Sequence, residues 1–440
     1  MEQNELTGFS VAKLPDVVPD AVLSMLGRLD WIPAKIGRSI HYDLMEAGKL
    51  ANPYGGHAAA VAAQYVPQSD WVYRASFDLP RAILDSAHRF IELECVDTFA
   101  DVYVNKLLVG QCSNMFTPWQ FDLSKAGLKE RGNELYVHIK GHARMVADRA
   151  DESEERIGCD GRAPEWARER SLVRRYQRSY AEDFCYVGQA FWGIGLVRPV
   201  KILAFPKSYI DEYELVVSSV GAPDYKRATA AVHVAAGGAG GSLTARAVLT
   251  AADGAVSGQG ESSLAGGAAT ITLDVPSPKL WWPHGYGEPY LYTLTVSLSD
   301  SSGVLHTVSR QVGLKEIRLS LKGADGRQDF SFFINGKPMY ARGSNLIPID
   351  VLNAGGTPQQ VEDLLKLAVN SNMNMMRLWG GGMPEPDWYY SLCDRYGILL
   401  WKDAHLHSHT YPDYDERWNE EVRRETIVMI KQLRSHACFA

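Results

Sequence analysis

The 440-residue sequence predicts a multidomain β plus α/β protein, with two antiparallel β-sandwiches followed by the beginning of a parallel βα array. Three observations predict that order. Short runs with a two-residue hydrophobic period recur up to about residue 319. The turns between them are rich in Gly, Asn, Asp and Pro, which supply the backbone angles of tight turns. After about Phe330 the period changes, and apolar strands alternate with segments of helical spacing.

From about Trp71 to Ile202 the runs "WVYRASFDL", "RFIELEC", "ADVYVNKLLVG", "ELYVHIKG" and "VRPVKILAF" predict the first sandwich. A helical or irregular insertion, roughly 142–180, interrupts them with "ADESEERIGCDGRAPEWARERSLVRR", whose charge reads as a solvated face. From about Tyr209 to Leu319 come "YELVVSS", "ATAAVHVAA", "LTARAVLTA", "ATITLDV", "YLYTLTVSLS" and "HTVSRQVGL", a spacing that suggests an immunoglobulin-like sandwich. The tracts "AAGGAGGSL" and "GQGESSLAGGAA" read as hairpin loops, since neither sits between a strand and a helix as a phosphate-binding loop does.

The third region opens with a hairpin and a strand in "FSFFINGKPMYARGSN". The helix "TPQQVEDLLKLAVNSN" follows, with Val361, Leu364, Leu365 and Ala368 at helical spacing and Thr357-Pro358 as its start signal. Then come the strand "MNMMRLW", the helix "EPDWYYSLCDRYG", the strand "ILLWKD" and the helix "DERWNEEVRRETIVMIKQLRSH". Three βα units of this kind make a parallel sheet but not a closed barrel, which takes about 250 residues. The strand residues Met373, Met375, Leu378, Leu399 and Leu400 are therefore expected to lack closing partners. The expected domain boundaries are 1–206, 207–320 and 321–440.

Composition narrows the function. The chain is 46% hydrophobic and 22% charged, with a net charge of −7 and no basic run, which argues against a nucleic-acid partner. The six cysteines lack C-x-x-C spacing, which argues against a zinc ribbon or a dense disulfide framework. "MEQNELTGFS" has neither the basic nor the apolar part of a signal peptide, and no run approaches the ~20 apolar residues of a membrane helix. The expectation is a cytoplasmic protein without a membrane partner or a cofactor; the oligomeric state stays open. "HLHSH" (His405, His407, His409) puts alternate imidazoles on one face of an extended segment, but it lies in a loop, and no metal site is assigned to it.

Several strings resemble glycoside hydrolase family 2, most closely its β-mannosidase branch. They are "IPAKIGRSIHYDLMEAGKLANPYGG", "DWVYRASFDLP", "VDTFADVYVNKLLVG" with "NMFTPWQFDL", "PKLWWPHGYGEPYLYTLTV", "QVGLKEIRL", "FFINGKPMYARGSNLIPID" and "NMNMMRLWGGGMPEPDWYYSLCDRYGILLWKDAHLHSHTYP". They run from about Ile32 to His436, and the Leu-Trp-Trp-Pro and Arg-Leu-Trp-Gly-Gly-Gly strings are the specific ones. The resemblance implies a jelly-roll sugar-binding domain, an immunoglobulin-like domain and a catalytic TIM barrel, here an incomplete (β/α)₈ barrel holding its first three βα units. It also implies hydrolysis of a non-reducing-end β-linked sugar with retention, by two glutamates about 5–5.5 Å apart. The partner is then a carbohydrate, a β-mannoside or related glycan.

Barrel enzymes place their sites at the C-terminal ends of the strands, where Arg377, Trp379, Asp403 and Asn345 fall. The resemblance implies that Trp379 lines the sugar pocket and that Arg377 holds the nucleophile's charge and orientation. Asp403 would bind sugar hydroxyls or pair with Arg377, and Asn345 would face the pocket; barrel packing and turn roles are the competing readings. Gly380, Gly381 and Gly382 are expected to let the loop turn tightly. A Gly-Trp-Asp-Trp-Gly-Pro loop of β-mannosidases corresponds to Ala181, Glu182, Asp183 and Phe184, of which only Asp183 matches. Glucosaminidase-, galactosidase- or glucuronidase-like specificity and a non-catalytic carbohydrate-binding role therefore stay as alternatives.

The family's acid/base Glu sits in Trp-x-Gly-Asn-x-Glu on a fourth strand, after Arg-x-His-Pro-Ser. The matching stretch is "QLRSHACFA", which ends at Ala440 where an apolar strand would begin. Both the acid/base and the nucleophile Glu are therefore expected beyond Ala440. No catalytic residue is assigned within these 440 residues, and the expectation is a fragment without activity of its own. Glu385, Asp387, Asp394 and Asp403 are not expected to substitute, with Asp387 and Asp394 facing solvent or capping their helix.

Overall fold

The computed structural model describes residues 2–15, 22–141, 145, 193–238, 240–323, 326–350, 352, 356–406, 411 and 413–440. The charged insertion expected over 142–180 and Asp183 lie outside these residues, as do His407 and His409. Among the described residues no helix is long and apolar enough to cross a membrane.

The alternating runs of the first region, joined by four short strands that spacing did not single out (Glu2–Glu5, Ser10–Lys13, Ile32–Pro33 and Trp119–Asp122), form two facing sheets. The larger has the order Ile32–Pro33, Ser10–Lys13, Trp71–Phe77, Asn133–Ile139, Ala100–Val104, Leu107–Cys112, with every pairing antiparallel. The smaller runs Glu2–Glu5, Val200–Phe205, His88–Leu93, Trp119–Asp122. Their inward residues, among them Trp71, Tyr73, Ile91, Leu93, Val102 and Val137, make one continuous core. The turn between Ala100–Val104 and Leu107–Cys112 puts Asn105 and Lys106 at φ 49° and 68°, the double left-handed turn that matches strand twist in a hairpin.

The second region stacks the sheet Ser208–Ser219, Arg227–Gly238, Ala268–Pro276 on the sheet Val256–Ser263, Thr244–Thr250, Tyr292–Asp300, Gly303–Val312. Its core is almost wholly aliphatic, with Val232, Leu249, Leu273, Leu294 and Val296 fully buried. One expectation fails here. "VSGQGESS" is the strand Val256–Ser263, paired with Thr244–Thr250, and not part of a loop. It is an edge strand, so it lacks the apolar alternation of its neighbours. Gly260 meets the opposite sheet so closely that a Cβ there would lie 2.8 Å from Ile271.

In the third region Ile317–Lys322, Gln328–Ile334 and Lys337–Met339 form an antiparallel meander. The strand Ile317–Lys322 thus straddles the boundary expected at 320. Beyond it, Gly343–Leu346, Met375–Leu378 and Leu399–Lys402 make a three-stranded parallel sheet. The helices Pro358–Asn370, Asp387–Tyr396 and Glu416–Leu433 alternate with them. Thr357 caps the first helix by a reciprocal bond with Gln360, with Pro358 in its first turn.

After the last helix, Leu400 and Phe439 form a parallel bridge beside the third strand. The Leu400 amide donates to the Cys438 carbonyl at 2.7 Å, and the Ala440 amide donates to the Leu400 carbonyl at 3.1 Å. The stretch ending at Ala440 thus meets the third strand through a single parallel bridge. Ala440 itself is half-buried against the cluster that holds Trp281 and Leu399.

The strand faces expected to be uncovered are covered. Met376, Leu378 and Leu400 pack under the helices with Leu365, Tyr390 and Leu433. On the other face Met375 and Leu399 are buried by Phe332, Ile334 and Met339 of the meander and by Trp281 of the Leu-Trp-Trp-Pro string. Only Met373 is half-buried. Spacing could not reveal this, because the covering residues belong to other elements, one of them more than ninety positions upstream. Trp281 also donates from Nε1 to the Asp394 carbonyl at 2.8 Å, joining the second sandwich to the βα array.

Candidate functional site

Strand register decides which side chains meet. Asn345, Arg377 and Trp401 are partners across the parallel sheet, so they share one face, one layer above Gly343, Met375 and Leu399. Two residues further along the third strand, Asp403 continues that face at the C-terminal edge. Arg377 sits between its neighbours. Its Nε donates to Asp403 Oδ1 at 3.1 Å, its Nη2 donates to Asp403 Oδ2, and its Nη1 donates to Asn345 Oδ1 at 3.1 Å.

The Arg377 side chain is 42% exposed and that of Asp403 18%, so solvent screens the pair and its contribution to stability is small. What the arrangement provides is orientation. A guanidinium carries five N–H donors in a fixed plane, and these three bonds leave two for acceptors arriving from the open side. Trp401, in the same row, stacks on Phe330 with ring centroids 5.7 Å apart and forms an aromatic ledge. The structure therefore brings Arg377, Asp403 and Asn345 together.

Trp379 follows Arg377 by two residues and lines a separate small recess with Leu346, Pro348, Met383, Tyr389 and Arg198, which the trio does not line. Its amide donates to the Leu346 carbonyl at 3.1 Å. The glycines that follow do turn tightly, the Gly382 amide donating to the Trp379 carbonyl at 3.2 Å, but none of the three has the positive φ that would make glycine necessary for the turn. A Cβ on Gly381 would lie 2.0 Å from the Trp379 ring, and one on Gly380 would lie 2.1 Å from the Leu406 carbonyl. The run allows the indole to lie against its own loop and that loop to touch residues 404–406; close approach, not turn geometry, requires glycine.

The remaining carboxylates are occupied. Glu385 accepts from Tyr390 Oη at 2.9 Å and pairs with Lys402 at 3.0 Å, the Lys402 side chain being fully buried. Asp394 does not face solvent as expected; it is 2% exposed. Its Oδ2 lies 2.6 Å from His436 Nδ1 and its Oδ1 accepts from the Cys438 amide at 2.7 Å. Helical spacing placed it correctly in sequence but could not show that the segment from Arg434 to Ala440 folds back over that helix. Asp387 remains exposed in its helix's first turn, 3.1 Å from His436 Nε2, and that hydrogen bond holds its carboxyl below the usual range. Burial works against a charged His436, but the bonds to Asp387 and Asp394 outweigh it and raise its pKa.

The first sandwich reaches this region through residues that spacing did not single out. Asn114 donates to Glu421 at 3.1 Å and to the buried Glu425 at 2.8 Å. Phe116 stacks on His405 with centroids 4.5 Å apart. Tyr42 and Tyr54 both donate to Asp350. The available signal was a charge or amide in an apolar context: Lys402 on the helix-facing side of its strand, and Asn114 before Met-Phe.

Comparison with known proteins gives the family of the chain. Residues 20–198 match the family model described as the glycosyl hydrolase 2 galactose-binding domain-like, and residues 209–315 match that of glycosyl hydrolases family 2. β-Mannosidase B of Aspergillus oryzae is 30% identical over 437 residues, covering 98% of this chain and 49% of that protein. The Aspergillus niger β-mannosidase B is 28% identical over 414 residues, covering 92% and 47%. Among solved structures, the β-D-mannosidase of Dictyoglomus thermophilum superposes with a TM-score of 0.86 at 27% identity, over 100% of this chain and 52% of that one. The exo-chitosanase of Amycolatopsis orientalis gives 0.71 at 18%, over 100% and 48%, a likeness of fold alone. The chain spans about half the length of the curated relatives it matches.

Proposed function

Because this chain belongs to glycoside hydrolase family 2, we propose that it is the sugar-recognising part of a retaining exo-glycosidase acting on β-mannosides or closely related glycans. The observation that carries the reading is the Asn345–Arg377–Asp403 trio at the C-terminal ends of three adjacent parallel strands. In this reading residues 321–440 are the first three βα units of a (β/α)₈ barrel, after a jelly roll (1–206) and an immunoglobulin-like domain (207–320). The barrel assignment is supported by the strand–helix alternation and by the polar side chains Asn345, Arg377 and Asp403 gathered at the strand ends.

Each residue then has a chemical task. Arg377, fixed by Asp403 and Asn345, presents its remaining N–H groups to sugar hydroxyls or to a carboxylate nucleophile. Trp379 offers an apolar wall to a pyranose ring, and Asp183 contributes from the first domain. In this reading the acid/base and nucleophile glutamates lie beyond Ala440, which accords with a chain that spans about half the length of its relatives. No described carboxylate near the trio substitutes for them, since Glu385 is held by Lys402 and Tyr390, and Asp403 by Arg377.

The test measures binding and turnover separately. The 440-residue chain, titrated with methyl β-mannoside and followed by ligand-observed NMR, should bind weakly, and Arg377→Ala or Asp403→Ala should abolish binding. A chromogenic β-mannoside should not be turned over. Hydrolysis removed by a substitution within residues 1–440 would overturn the placement of the carboxylates, and unchanged binding in both variants would overturn the sugar site.

A further inference from the structure

We propose that Asp350 is a positioning residue, through which the first sandwich sets the Trp379 recess. The inference rests on the reading of Trp379 as a wall of the sugar site, and it extends that reading to a second domain.

The residues after the strand Gly343–Leu346 are not a free loop. Leu346, Ile347, Pro348 and Ile349 form one side of the recess beside Trp379. Leu346 accepts the Trp379 amide at 3.1 Å, and Pro348 lies where a Cβ on Gly382 would touch it at 3.4 Å. Any displacement of this segment therefore moves the backbone that carries the indole.

What fixes the segment comes from the other end of the sequence. Asp350 accepts from Tyr42 at Oδ2 and from Tyr54 at Oδ1, the latter at 2.9 Å, and its Oδ1 also accepts the Leu352 amide at 2.9 Å. Ser39, at the N-cap of the helix Ile40–Glu46, donates its amide to the Leu352 carbonyl at 2.7 Å. Tyr42 lies on that helix and Tyr54 on the short 3₁₀ turn Pro53–Gly55. Two elements of the first sandwich thus grip one carboxylate, with a backbone bond beside it.

The chemistry suits a permanent clamp. Burial, aided by the Asp350 charge, pushes both tyrosine hydroxyls up, so they stay protonated donors throughout the neutral range. Hydrogen bonds to an ionised acceptor are the stronger kind, and each phenol has only two torsions to order. A two-point grip on the two oxygens also fixes the rotation of the carboxylate, which a single bond would not do.

The experiment uses the 440-residue chain labelled with 5-fluorotryptophan and read by ¹⁹F NMR, the Trp379 resonance being assigned by its loss in Trp379→Phe. In Asp350→Ala and in the double variant Tyr42→Phe/Tyr54→Phe, the Trp379 resonance should shift or broaden while that of Trp281, buried elsewhere, stays in place. Asp350→Asn, which keeps one acceptor, should restore much of the wild-type position. Should Asp350→Ala fail to fold, the single Tyr→Phe variants carry the test. A Trp379 resonance unmoved in every folded variant would overturn the proposal. Titration with methyl β-mannoside is the independent arm: a several-fold weaker Kd in the clamp variants joins positioning to recognition. A ¹⁹F response without any sugar binding by the wild type would instead count against the sugar site and leave the clamp standing.

Discussion

The second sandwich and the βα region are similar in size and are built on opposite principles. Between residues 208 and 316 the buried polar side chains among the described residues are Ser208 and His306 alone, and the core is aliphatic. Between 317 and 440 the buried polar set is Asn335, Asn374, Asp394, Lys402, His405, Glu425, Ser435 and His436. The sandwich is held by apolar area, about 25 cal/mol per Å² removed from water, and tolerates any well-packed hydrophobic solution. The βα region spends much of its interior on paired polar groups, which add little net stability but allow only one arrangement of strands, helices and neighbouring domains. Candidate recognition residues occur where the chain is held by direction-dependent bonds.

That contrast predicts different responses to substitution. The largest effect should come from Asp394→Ala, which removes the buried partner of His436, leaving it only the exposed carboxylate Asp387, and removes the acceptor of the Cys438 amide. A loss of about 3–5 kcal/mol is expected, since breaking one side of a buried pair strands the other. Hydrogen exchange of peptides covering 387–440 in increasing urea measures it. A loss below ~1 kcal/mol would mean the network is decorative and the contrast false.

In the sandwich, Leu294→Ala should cost about 2–5 kcal/mol through lost transfer energy and a residual cavity. Its hydrogen-exchange footprint should be confined to 208–312. Leu294→Met should cost less than ~1.5 kcal/mol, as volume-conserving swaps do. No such cheap replacement is expected for Asp394, and a tolerated Asp394→Leu would remove the distinction.

Gly381→Ala sharpens the contrast at the site itself. A Cβ 2.0 Å from the Trp379 ring forces the indole or its loop aside, at a cost of about 1–3 kcal/mol. The Trp379 ¹⁹F resonance should move, whereas Gly254→Ala, in open space on a sandwich turn, should leave it unchanged.

The smallest effect is the pH dependence that His436 contributes to the βα region. The folded pKa of His436 is raised above its unfolded value near 6.5. Its contribution is therefore fully present below about pH 6.5 and is lost as pH rises through the raised pKa. It amounts to at most about 1.4 kcal/mol for each tenfold gain in the ring's proton affinity on folding. Urea midpoints of the wild type and His436→Gln, compared from pH 6 to 9, should converge with rising pH. A constant gap would show that the ring stays neutral in the folded chain.

Much of the fold was legible before any coordinates. Period-two runs marked most strands of the second sandwich and the central ones of the first, but not Glu2–Glu5, Ser10–Lys13, Ile32–Pro33 or Trp119–Asp122, and Thr357-Pro358 marked a helix start. The strand Val256–Ser263 was missed because an edge strand needs no apolar face. Arg377, Asp403 and Asn345 were found from their place at strand ends, and their mutual bonds follow from parallel register. Lys402–Glu385, Asp394–His436 and Tyr42–Asp350–Tyr54 could not be paired from spacing, because each pairing joins different elements or domains.

The sequence by itself determined the order of the units, the family resemblance and the residues at the strand ends, because periodicity, turn chemistry and motif strings are local properties of the chain. Tertiary structure alone decided what covers the parallel sheet, why the Gly380–Gly382 run is glycine and which carboxylates are already occupied. Those outcomes depend on distances between residues far apart along the chain. Trp281 over Met375 and Leu399, the Trp379 ring against Gly381, and Asp350 gripped from the first sandwich are all settled by packing that no window of sequence contains.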